Sequence, residues 1–279
     1  MKIITNELIQ KFKQYLIEEE KSDNTIEKYI RDICAFSAWL QDVETNKQTV
    51  LEYKKMLMER YAPASVNSIL SSLNSFFTFN EWFDCKIKTL KIQRQIFSSK
   101  DKELTKAEYE RLLTAAKNKK NKRLYYLMQT ICSTGIRVSE LKFITVDAVR
   151  LGQATINCKG KMRIVILPKQ LCKMLKEYVK ENNIVSGTVF TSRNGIPLDR
   201  HAIWKSMKAL CESAGVARDK VFPHNFRHLF ARTYYSLQKD IIRLADILGH
   251  SSVNTTRIYT IETGEIHRKQ IQKLGLLRC

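Results

Sequence analysis

Two histidines, an arginine and a tyrosine within residues 223–261 form a set that is suited to phosphate chemistry. His224 and Arg227 stand three residues apart, His250 follows a Leu-Gly pair, and Tyr259 comes nine residues after His250. An arginine offers a rigid fork of donors to phosphate oxygens, and a histidine can donate to an oxygen or move a proton near neutral pH. A tyrosine is a possible nucleophile that needs activation by its surroundings. The stretch therefore indicates a phosphodiester substrate.

A further arginine precedes this stretch in a position that favours an anion. Gly135 marks a turn, so we expect Arg137 at the start of a helix, beside free backbone N–H groups. Glu140 follows one helical turn later and is expected to orient Arg137 rather than to bind a metal ion. Neither a carboxylate cluster nor a Gly-rich phosphate loop accompanies these residues, which predicts a site without metal or other cofactor.

A lysine pair lies between two segments with strand periodicity. Residues 154–157 and 162–167 predict two strands, and Lys159, Gly160 and Lys161 between them predict a hairpin with a basic tip. When a phenol attacks a phosphodiester, charge builds on the non-bridging oxygens, and two arginines and two histidines aimed there would supply the stabilisation that metal ions provide in other phosphoryl-transfer sites.

The charge of the chain is concentrated in the part that holds these candidates. The 279 residues include 48 Lys and Arg against 28 Asp and Glu, a formal net charge of +20. Residues 1–90 hold 12 basic and 13 acidic residues, so residues 91–279 hold 36 and 15, a net charge of +21. An excess of this size predicts a polyanionic partner, either nucleic acid or an acidic membrane.

The elements that must position the candidates begin with a helical segment, residues 1–90. Apolar residues recur there at helical spacing in four runs, which predicts four amphipathic helices joined by short connections. Their expected starts are Asn6 as a cap, Ser22, a position near Gln48, and Ser65 after the Ala62-Pro63 break. Residues 91–102 lose this periodicity and predict a basic linker, for which a plain solvated connector is the alternative.

The remaining residues, 103–279, predict a second domain. Thr105 to Glu108 forms a capping-box pattern at the start of a helix. Residues 188–191, followed by Asn194-Gly195, predict a third short strand and a turn, and residues 201–214 predict a further helix. The fold class that follows is mainly α with a small β-sheet (α+β).

Seven cysteines show neither CxxC spacing nor metal-ligand spacing from a histidine, which indicates reduced thiols. The N-terminus lacks the apolar core of a signal peptide, and no apolar run approaches the roughly 20 residues that cross a bilayer. These features predict a cytoplasmic protein that does not insert into a membrane.

Several phrases, taken in chain order, resemble the tyrosine recombinase (phage-type integrase) family, of the Xer-like or transposon type. They are TGIRVSEL, KGKMRIVIL, PHNFRH and LGHSSVNTTRIYT in the second domain. DNTIEKYIRDICAFSAWL and ASVNSILSSLNSFF in the first domain resemble the family's core-binding (SAM-like) helices. The resemblance implies a core-binding bundle over 1–90, a linker over 91–102, and a catalytic domain of the DNA-breaking-rejoining type over 103–279.

The resemblance also implies a role for each candidate. Tyr259 would be the nucleophile, Arg137 and Arg227 would clamp the scissile phosphate, and Lys159 would protonate the leaving 5′-oxygen. The remaining acid/base and phosphate-binding positions fall on His224 and His250. Because the turn in KGKMR is about a residue shorter than the common Xer-type form, Lys161 stays an alternative to Lys159. Lys161 and His228 otherwise match no family role, and we expect them to contact DNA or to be structural.

The implied function is that of a site-specific recombinase that cleaves and rejoins DNA through a 3′-phosphotyrosyl intermediate. The implied partners are double-stranded DNA and three further protomers. Four protomers would assemble on two DNA sites, as a homo-tetramer or as a hetero-tetramer with a paralogue, and both domains would hold the DNA. Accessory proteins stay open as further partners. Two alternatives remain. A type IB-like topoisomerase uses a similar residue set as a monomer, and a catalytically silent DNA-binding protein could share the fold, although all six positions hold the expected residue types.

The C-terminal tail, residues 265–279, carries an incomplete apolar face just after the proposed nucleophile. Its members are Ile266, Ile271, Leu274 and Leu277. The resemblance implies that this tail docks on a neighbouring protomer, where a pocket would bury its apolar side chains. Docking of the tail on its own domain stays open.

The uneven charge generates a prediction about binding. If the excess over residues 91–279 contacts phosphates, the logarithm of DNA affinity will fall steeply with the logarithm of salt concentration, by about 0.9 in slope for each phosphate contact. We expect residues 103–279 alone to retain most of the slope of the full chain in fluorescence-anisotropy titrations. A shallow slope for that fragment would mean that its charge only solvates the surface.

Overall fold

The structure is a computed structural model, and it describes residues 2–41, 43–92, 102–158, 161–192, 194–259 and 272–273. The chain divides into two compact units, Met1–Arg94 and Gln95–Cys279. The predicted linker, 91–102, lies almost entirely outside the described residues, and so do Lys159, Gly160 and the tail apart from Gln272 and Lys273. In the described parts, no helix is both long enough and apolar enough to cross a membrane.

The first unit is a bundle of four helices, as predicted. Their bounds are α1 Asn6–Glu18, α2 Asp23–Leu40, α3 Lys47–Arg60 and α4 Pro63–Phe79. The bundle closes over one apolar core that is rich in aromatic rings, among them Phe12, Phe36, Phe76 and Phe77, all fully buried. The aromatic residues of this unit therefore stabilise packing.

Two helix starts differ from prediction. The side chain of Thr5, not Asn6, caps α1 by accepting from the backbone N–H of Leu8. Helix α4 begins at Pro63 rather than at Ser65. A proline is favoured at the first helical position because its missing N–H would have no partner there and its φ angle already suits a helix, so this proline starts a helix and does not only break one.

The second unit is mostly helical and carries one small sheet. Its elements are α5 Lys106–Asn118, α6 Lys122–Thr134, α7 Val146–Leu151, β1 Gln153–Cys158, β2 Lys161–Ile166, α8 Lys169–Glu181, α9 Arg200–Lys208, α10 Cys211–Ala214, α11 Pro223–Gln238, α12 Ile241–Leu248 and α13 Val253–Thr256. The capping box at the start of α5 is confirmed, because Thr105 and Glu108 each accept from the other's backbone N–H. The predicted fold class is confirmed.

The sheet contains two strands in the described residues, and the predicted third strand is wrong. Strands β1 and β2 pair antiparallel, with Ile156 opposite Arg163 and Ala154 opposite Val165. Residues 188–191 form only isolated bridges, at Thr188 and Thr191. The predicted helix over 201–214 is also two helices, α9 and α10, which are separated at Ala209-Leu210.

The core of the second unit lies between α6, α11 and the sheet. Helix α6 packs along α11, and buried residues from both, including Met128, Ile131 and Phe226, belong to one cluster with Ile156 and Val165 of the sheet. A smaller cluster of Ala231, Leu244, Leu248 and Tyr259 joins α11 to α12 and to the segment that follows α13. These contacts bring the ends of α6, β2, α11 and α12 to one place.

Candidate active site

The C-terminal end of α12 is the point at which three arginine side chains meet. The backbone carbonyls of three successive residues there, Ile247, Leu248 and Gly249, each accept a hydrogen bond from a guanidinium. The donors are, respectively, Arg163 Nη1 at 2.8 Å, Arg227 Nη2 at 2.8 Å and Arg137 Nη2 at 3.2 Å. The last carbonyls of a helix lack intrahelical partners and carry a partial negative charge. This end of α12 therefore holds three cationic groups together.

Arg227 is the most deeply placed of the three, with only 1% of its surface exposed. Besides the carbonyl of Leu248, it donates to the carbonyl of Gly135, and its Nη2 lies 3.0 Å from Nε2 of His250. Burial foremost, together with the nearby Arg137, lowers the pKa of Arg227 to about 10, although the neighbouring Tyr259 counteracts part of that lowering. Arg227 nevertheless stays charged at neutral pH.

A single buried carboxylate, that of Glu140, serves the other two arginines. Its Oε1 accepts from Arg137 Nη1 at 3.0 Å, and its Oε2 accepts from Arg163 Nη2 at 2.6 Å and from the backbone N–H of Arg137 at 2.9 Å. Burial alone would raise the pKa of Glu140, but these donors, Arg163 foremost, bring it below its ordinary value. The expected orienting role of Glu140 fits this geometry.

The local structure around Arg137 differs from the predicted helix start. Arg137 precedes a 3₁₀ segment, Val138–Phe143, rather than an α-helix. The backbone N–H of Arg137, which we expected to be free for an anion, is already bonded to Glu140. An incoming phosphate would therefore meet the guanidinium of Arg137, whose side chain is 39% exposed, and not a set of open backbone amides.

Two glycines allow the close approach of these segments. Gly135 ends α6 at φ +65°, and a Cβ there would lie 2.7 Å from Cε1 of Phe230. Gly249 follows α12 at φ +63°, and a Cβ there would lie 2.9 Å from Nε of Arg163. Only glycine tolerates both this left-handed backbone and the lack of space. A side chain at Gly249 would displace Arg163, and one at Gly135 would displace Phe230.

The hydrogen bonds of His250 define its tautomer. A guanidinium has no acceptor, so Nε2 of His250 must accept from Arg227 and carries no proton. The proton is then on Nδ1, which lies 2.8 Å from Oγ1 of the fully buried Thr256 and donates to it. Thr256 thus fixes the ring orientation of His250 while the imidazole is neutral.

Tyr259 lies beside the histidines, in the same unit as the arginines. Its ring is 4% exposed and stacks at 5.9 Å on His250, and His228 meets it edge-on at 4.7 Å. His224 in turn lies 4.5 Å from His228, measured between ring centroids. The phenol of Tyr259 and the three imidazoles therefore form one contiguous row of rings.

All three imidazoles of this row are harder to protonate than a free histidine. Burial lowers the pKa of His228 to about 4, with His224 and Arg227 adding to the effect. Burial and then Arg227 and Arg137 lower the pKa of His250 to about 4. The pKa of His224 is lowered by desolvation and by the same two arginines. Without DNA, the positive charge of the site thus lies on the arginines.

The structure brings together five of the six residues that sequence reasoning selected. They are Arg137, His224, Arg227, His250 and Tyr259. The sixth, Lys159, lies outside the described residues, although β1 and β2 on either side of it form the predicted hairpin. Sequence reasoning did not select Arg163 or Thr256, and it did not place His228 against Tyr259. Arg163 could have been suspected, because it alternates with the exposed Met162 and Ile164 and so points to the interior.

Comparison with known proteins agrees with this arrangement. Residues 102–265 match the model of the phage integrase family, and residues 9–82 match the phage integrase N-terminal SAM-like domain. The chain is 32% identical to the tyrosine recombinase XerA of Thermococcus kodakarensis over 98% of this chain and 96% of that protein. It is 28% identical to the tyrosine recombinase XerD of Pseudomonas putida over 93% and 94% of the respective chains.

Solved structures share the fold. A lambda integrase dimer bound to a COC′ core site superposes with a TM-score of 0.74 at 17% identity, covering 91% of this chain and 94% of that one. The XerH recombinase bound to its difH substrate gives a TM-score of 0.70 at 21% identity, covering 92% and 82% of the respective chains.

The lowered histidine pKa values generate a prediction about pH and stability. Between pH 6.5 and 4, the unfolded chain binds protons at His228 and His250 that the folded chain does not, so the free energy of unfolding falls as pH falls. His228→Phe keeps a ring beside Tyr259 and removes one titrating group. In urea unfolding without DNA, we expect this variant to lose about 1–2 kcal/mol less than wild type between pH 7 and pH 5.

His201, which is exposed, provides the matched control. His201→Phe removes an imidazole outside the row of rings and should lose as much stability as wild type over the same pH range. An equal loss in His228→Phe and wild type would show that His228 is protonated in the folded protein as readily as in the unfolded chain.

Proposed function

The chain belongs to the phage integrase family and is a site-specific DNA recombinase, and from this premise we propose that Tyr259 cleaves DNA by forming a 3′-phosphotyrosyl intermediate. In that step the Tyr259 oxygen bonds to phosphorus and the bond from phosphorus to the 5′-oxygen breaks. Rejoining reverses the exchange with the 5′-hydroxyl of another strand. The phosphotyrosyl bond retains the energy of the broken bond, so no ATP is needed.

One observation carries this proposal. The end of α12 gathers Arg137 and Arg227 next to His250, whose ring stacks on Tyr259, and all four belong to the same unit of one chain. A nucleophile that lies beside its own arginines supports cleavage in cis, in which each protomer attacks with its own tyrosine.

The arginines and histidines have separate roles in this proposal. Attack by the phenol builds negative charge on the non-bridging oxygens of phosphorus, and preorganised guanidinium groups stabilise that charge in the transition state. Arg137 and Arg227 supply these groups. His224 and His250 take the remaining acid/base and phosphate-binding roles. Because Nε2 of His250 carries no proton, it can accept the proton of the phenol, and it donates to the phosphate only after it has taken up a proton. The proximity of a dianionic transition state would raise the low pKa values of both imidazoles and so favour proton uptake.

Lys159 is proposed as the general acid for the leaving 5′-oxygen. The segment between β1 and β2 carries it, and Lys161 at the start of β2 is the alternative. A lysine ammonium is a compact donor that can reach a leaving group from a hairpin tip.

The proposed partner is double-stranded DNA, bound through the basic surface of residues 91–279. We propose that four protomers assemble on two DNA sites, as a homo-tetramer or with a paralogue. Relatives in solved complexes support this assembly, since lambda integrase is described as a dimer on a core site and as a tetramer on a Holliday junction. Strand exchange between two duplexes that carry the site, rather than relaxation of one supercoiled duplex, distinguishes this function from that of a topoisomerase.

The nucleophile can be tested with a nicked suicide substrate. Tyr259→Phe should bind DNA with unchanged affinity, because a phenol contributes little to phosphate binding, and should form no covalent adduct on a denaturing gel. Tyr235→Phe, on α11 of the same unit, is the control and should form the adduct at a rate near that of wild type. An adduct with Tyr259→Phe would transfer the nucleophilic role to another tyrosine, such as Tyr234 or Tyr235.

The general acid can be separated from the phosphate clamp with a substrate that carries sulfur at the 5′-bridging position. A thiolate leaves without protonation, so Lys159→Ala should regain most of its cleavage rate on this substrate, whereas Arg137→Ala should not. Each tenfold change in rate corresponds to about 1.4 kcal/mol of activation free energy. Equal behaviour of the two variants would contradict the division of roles, and recovery by Lys161→Ala instead would move the acid two residues along β2.

A further inference from the structure

Arg163 stands on the inward face of β2 and has no role in the function proposed above. Its neighbours on the strand, Met162 and Ile164, are exposed, whereas Val165 on its own face is buried. The Arg163 side chain is only 14% exposed. An arginine in this position does not serve as an ordinary surface contact to DNA.

The donors of Arg163 are directed at the protein. Nη2 lies 2.6 Å from Oε2 of Glu140, and Nη1 lies 2.8 Å from the carbonyl of Ile247. These partners come from two different parts of the unit, the turn that follows α6 and the end of α12. Charge-assisted bonds of this length are the strong class of protein hydrogen bonds. Arg163 therefore ties the hairpin strand to both parts at once.

We propose that Arg163 is a positioning residue for cleavage, which fixes the Glu140 carboxylate and through it the guanidinium of Arg137. The inference rests on the proposed role of Arg137 in the phosphate clamp. Glu140 accepts from Arg163 on one oxygen and from the Arg137 side chain on the other. Arg163 thus takes up much of the negative charge of the carboxylate, which leaves Arg137 available to an anionic substrate.

Loss of Arg163 would leave the buried carboxylate with Arg137 as its main cationic partner. Glu140 would then hold the Arg137 guanidinium more strongly and in a different position, in competition with the scissile phosphate. A displacement of about 1 Å of a group that contacts the reacting phosphate is enough to slow a reaction about a hundredfold. The effect would fall on the rate of cleavage and not on the affinity for DNA.

A lysine could not replace this arginine. The two acceptors, Glu140 and Ile247, are bonded by different terminal nitrogens of one planar fork, which an ammonium cannot imitate. Gly249 leaves space for the Arg163 stem, since a Cβ there would lie 2.9 Å from Nε. The available space and the two acceptors therefore suit the two terminal nitrogens of a guanidinium.

The test compares Arg163→Met with Arg163→Lys, and it uses Arg232→Met as the control. Arg232 is a part-buried arginine of the same unit that also pairs with one carboxylate, Glu103, and one carbonyl, that of Leu104. Single-turnover formation of the covalent adduct is measured on a suicide substrate at saturating DNA. We expect cleavage to slow about a hundredfold for Arg163→Met and about tenfold for Arg163→Lys, as a charge without the fork retains part of the function. Arg232→Met should stay within about threefold of wild type.

Two modified substrates show through which group Arg163 acts. A methylphosphonate linkage lacks the anionic non-bridging oxygen that the clamp stabilises, so the defects of Arg137→Ala and Arg163→Met should both shrink on it. A 5′-bridging sulfur should restore neither variant. Recovery of Arg163→Met on the sulfur substrate would overturn the proposal, because Arg163 would then act by placing the hairpin lysine.

Failure of the inference and failure of the proposed function give different results. If Arg137→Ala shows no defect on natural DNA, or none that methylphosphonate relieves, then the clamp role of Arg137 is wrong and this inference falls with it. If Arg137→Ala behaves as expected but Arg163→Met cleaves at the wild-type rate, then only the inference is wrong.

A double variant distinguishes a defect in cleavage from a loss of folding. Arg163→Met leaves Glu140 buried with one cationic partner fewer, and breaking such a pair on one side destabilises a protein more than removing both charges. The double variant Glu140→Gln with Arg163→Met removes both and should unfold cooperatively near the wild-type temperature. Because both residues act through Arg137, the double variant should cleave about as slowly as Arg163→Met alone. Multiplication of the two single defects would overturn the proposal.

Discussion

The attraction between three guanidinium groups and the carbonyl end of α12 is the interaction on which the second unit depends. Three cations within one site repel each other, and this repulsion has to be offset before any substrate arrives. The carbonyls of Ile247, Leu248 and Gly249 provide the offset, together with a single carboxylate, that of Glu140. Among the described residues, one carboxylate cannot neutralise three arginines, so this part of the site keeps a positive charge that a phosphodiester can balance.

Burial is the main reason that the imidazoles are neutral, and the arginines add to it. An arginine keeps its proton at neutral pH, so repulsion within the positively charged site lowers the pKa of the histidines instead. The neutral His250 then accepts from Arg227 and donates to Thr256. The permanent positive charges of the site thus lie on the arginines, while neutral imidazoles that can take up a proton lie beside Tyr259.

Sequence reasoning predicted the parts of this unit whose cause is local. The turn at Gly135 and the capping box at Thr105 follow from the conformations and hydrogen bonds that these residues allow. The third strand was predicted wrongly because residues 188–191 have residue types typical of a strand. A strand also needs a neighbouring strand to pair with, and the local sequence does not reveal one. Arg163 was missed for a similar reason, since its acceptor at Ile247 is a backbone carbonyl 84 residues away. A carbonyl belongs to every residue and leaves no pattern in the sequence.

The two clamp arginines, which the sequence presents as equivalent, differ in what they do for the fold. Arg227 is fully buried and bonds to the carbonyls of Gly135 and Leu248, so it joins the end of α6 to the end of α12. The side chain of Arg137 is 39% exposed, and its bond to the carbonyl of Gly249 is the longest of the three at 3.2 Å. A phosphate can therefore bind to Arg137 without breaking strong hydrogen bonds within the protein. Arg227 can bind a substrate only through N–H groups that are not already hydrogen-bonded to backbone carbonyls. In the proposed function, substrate binding and folding thus share Arg227, and this overlap would place the phosphate where two helix ends already meet.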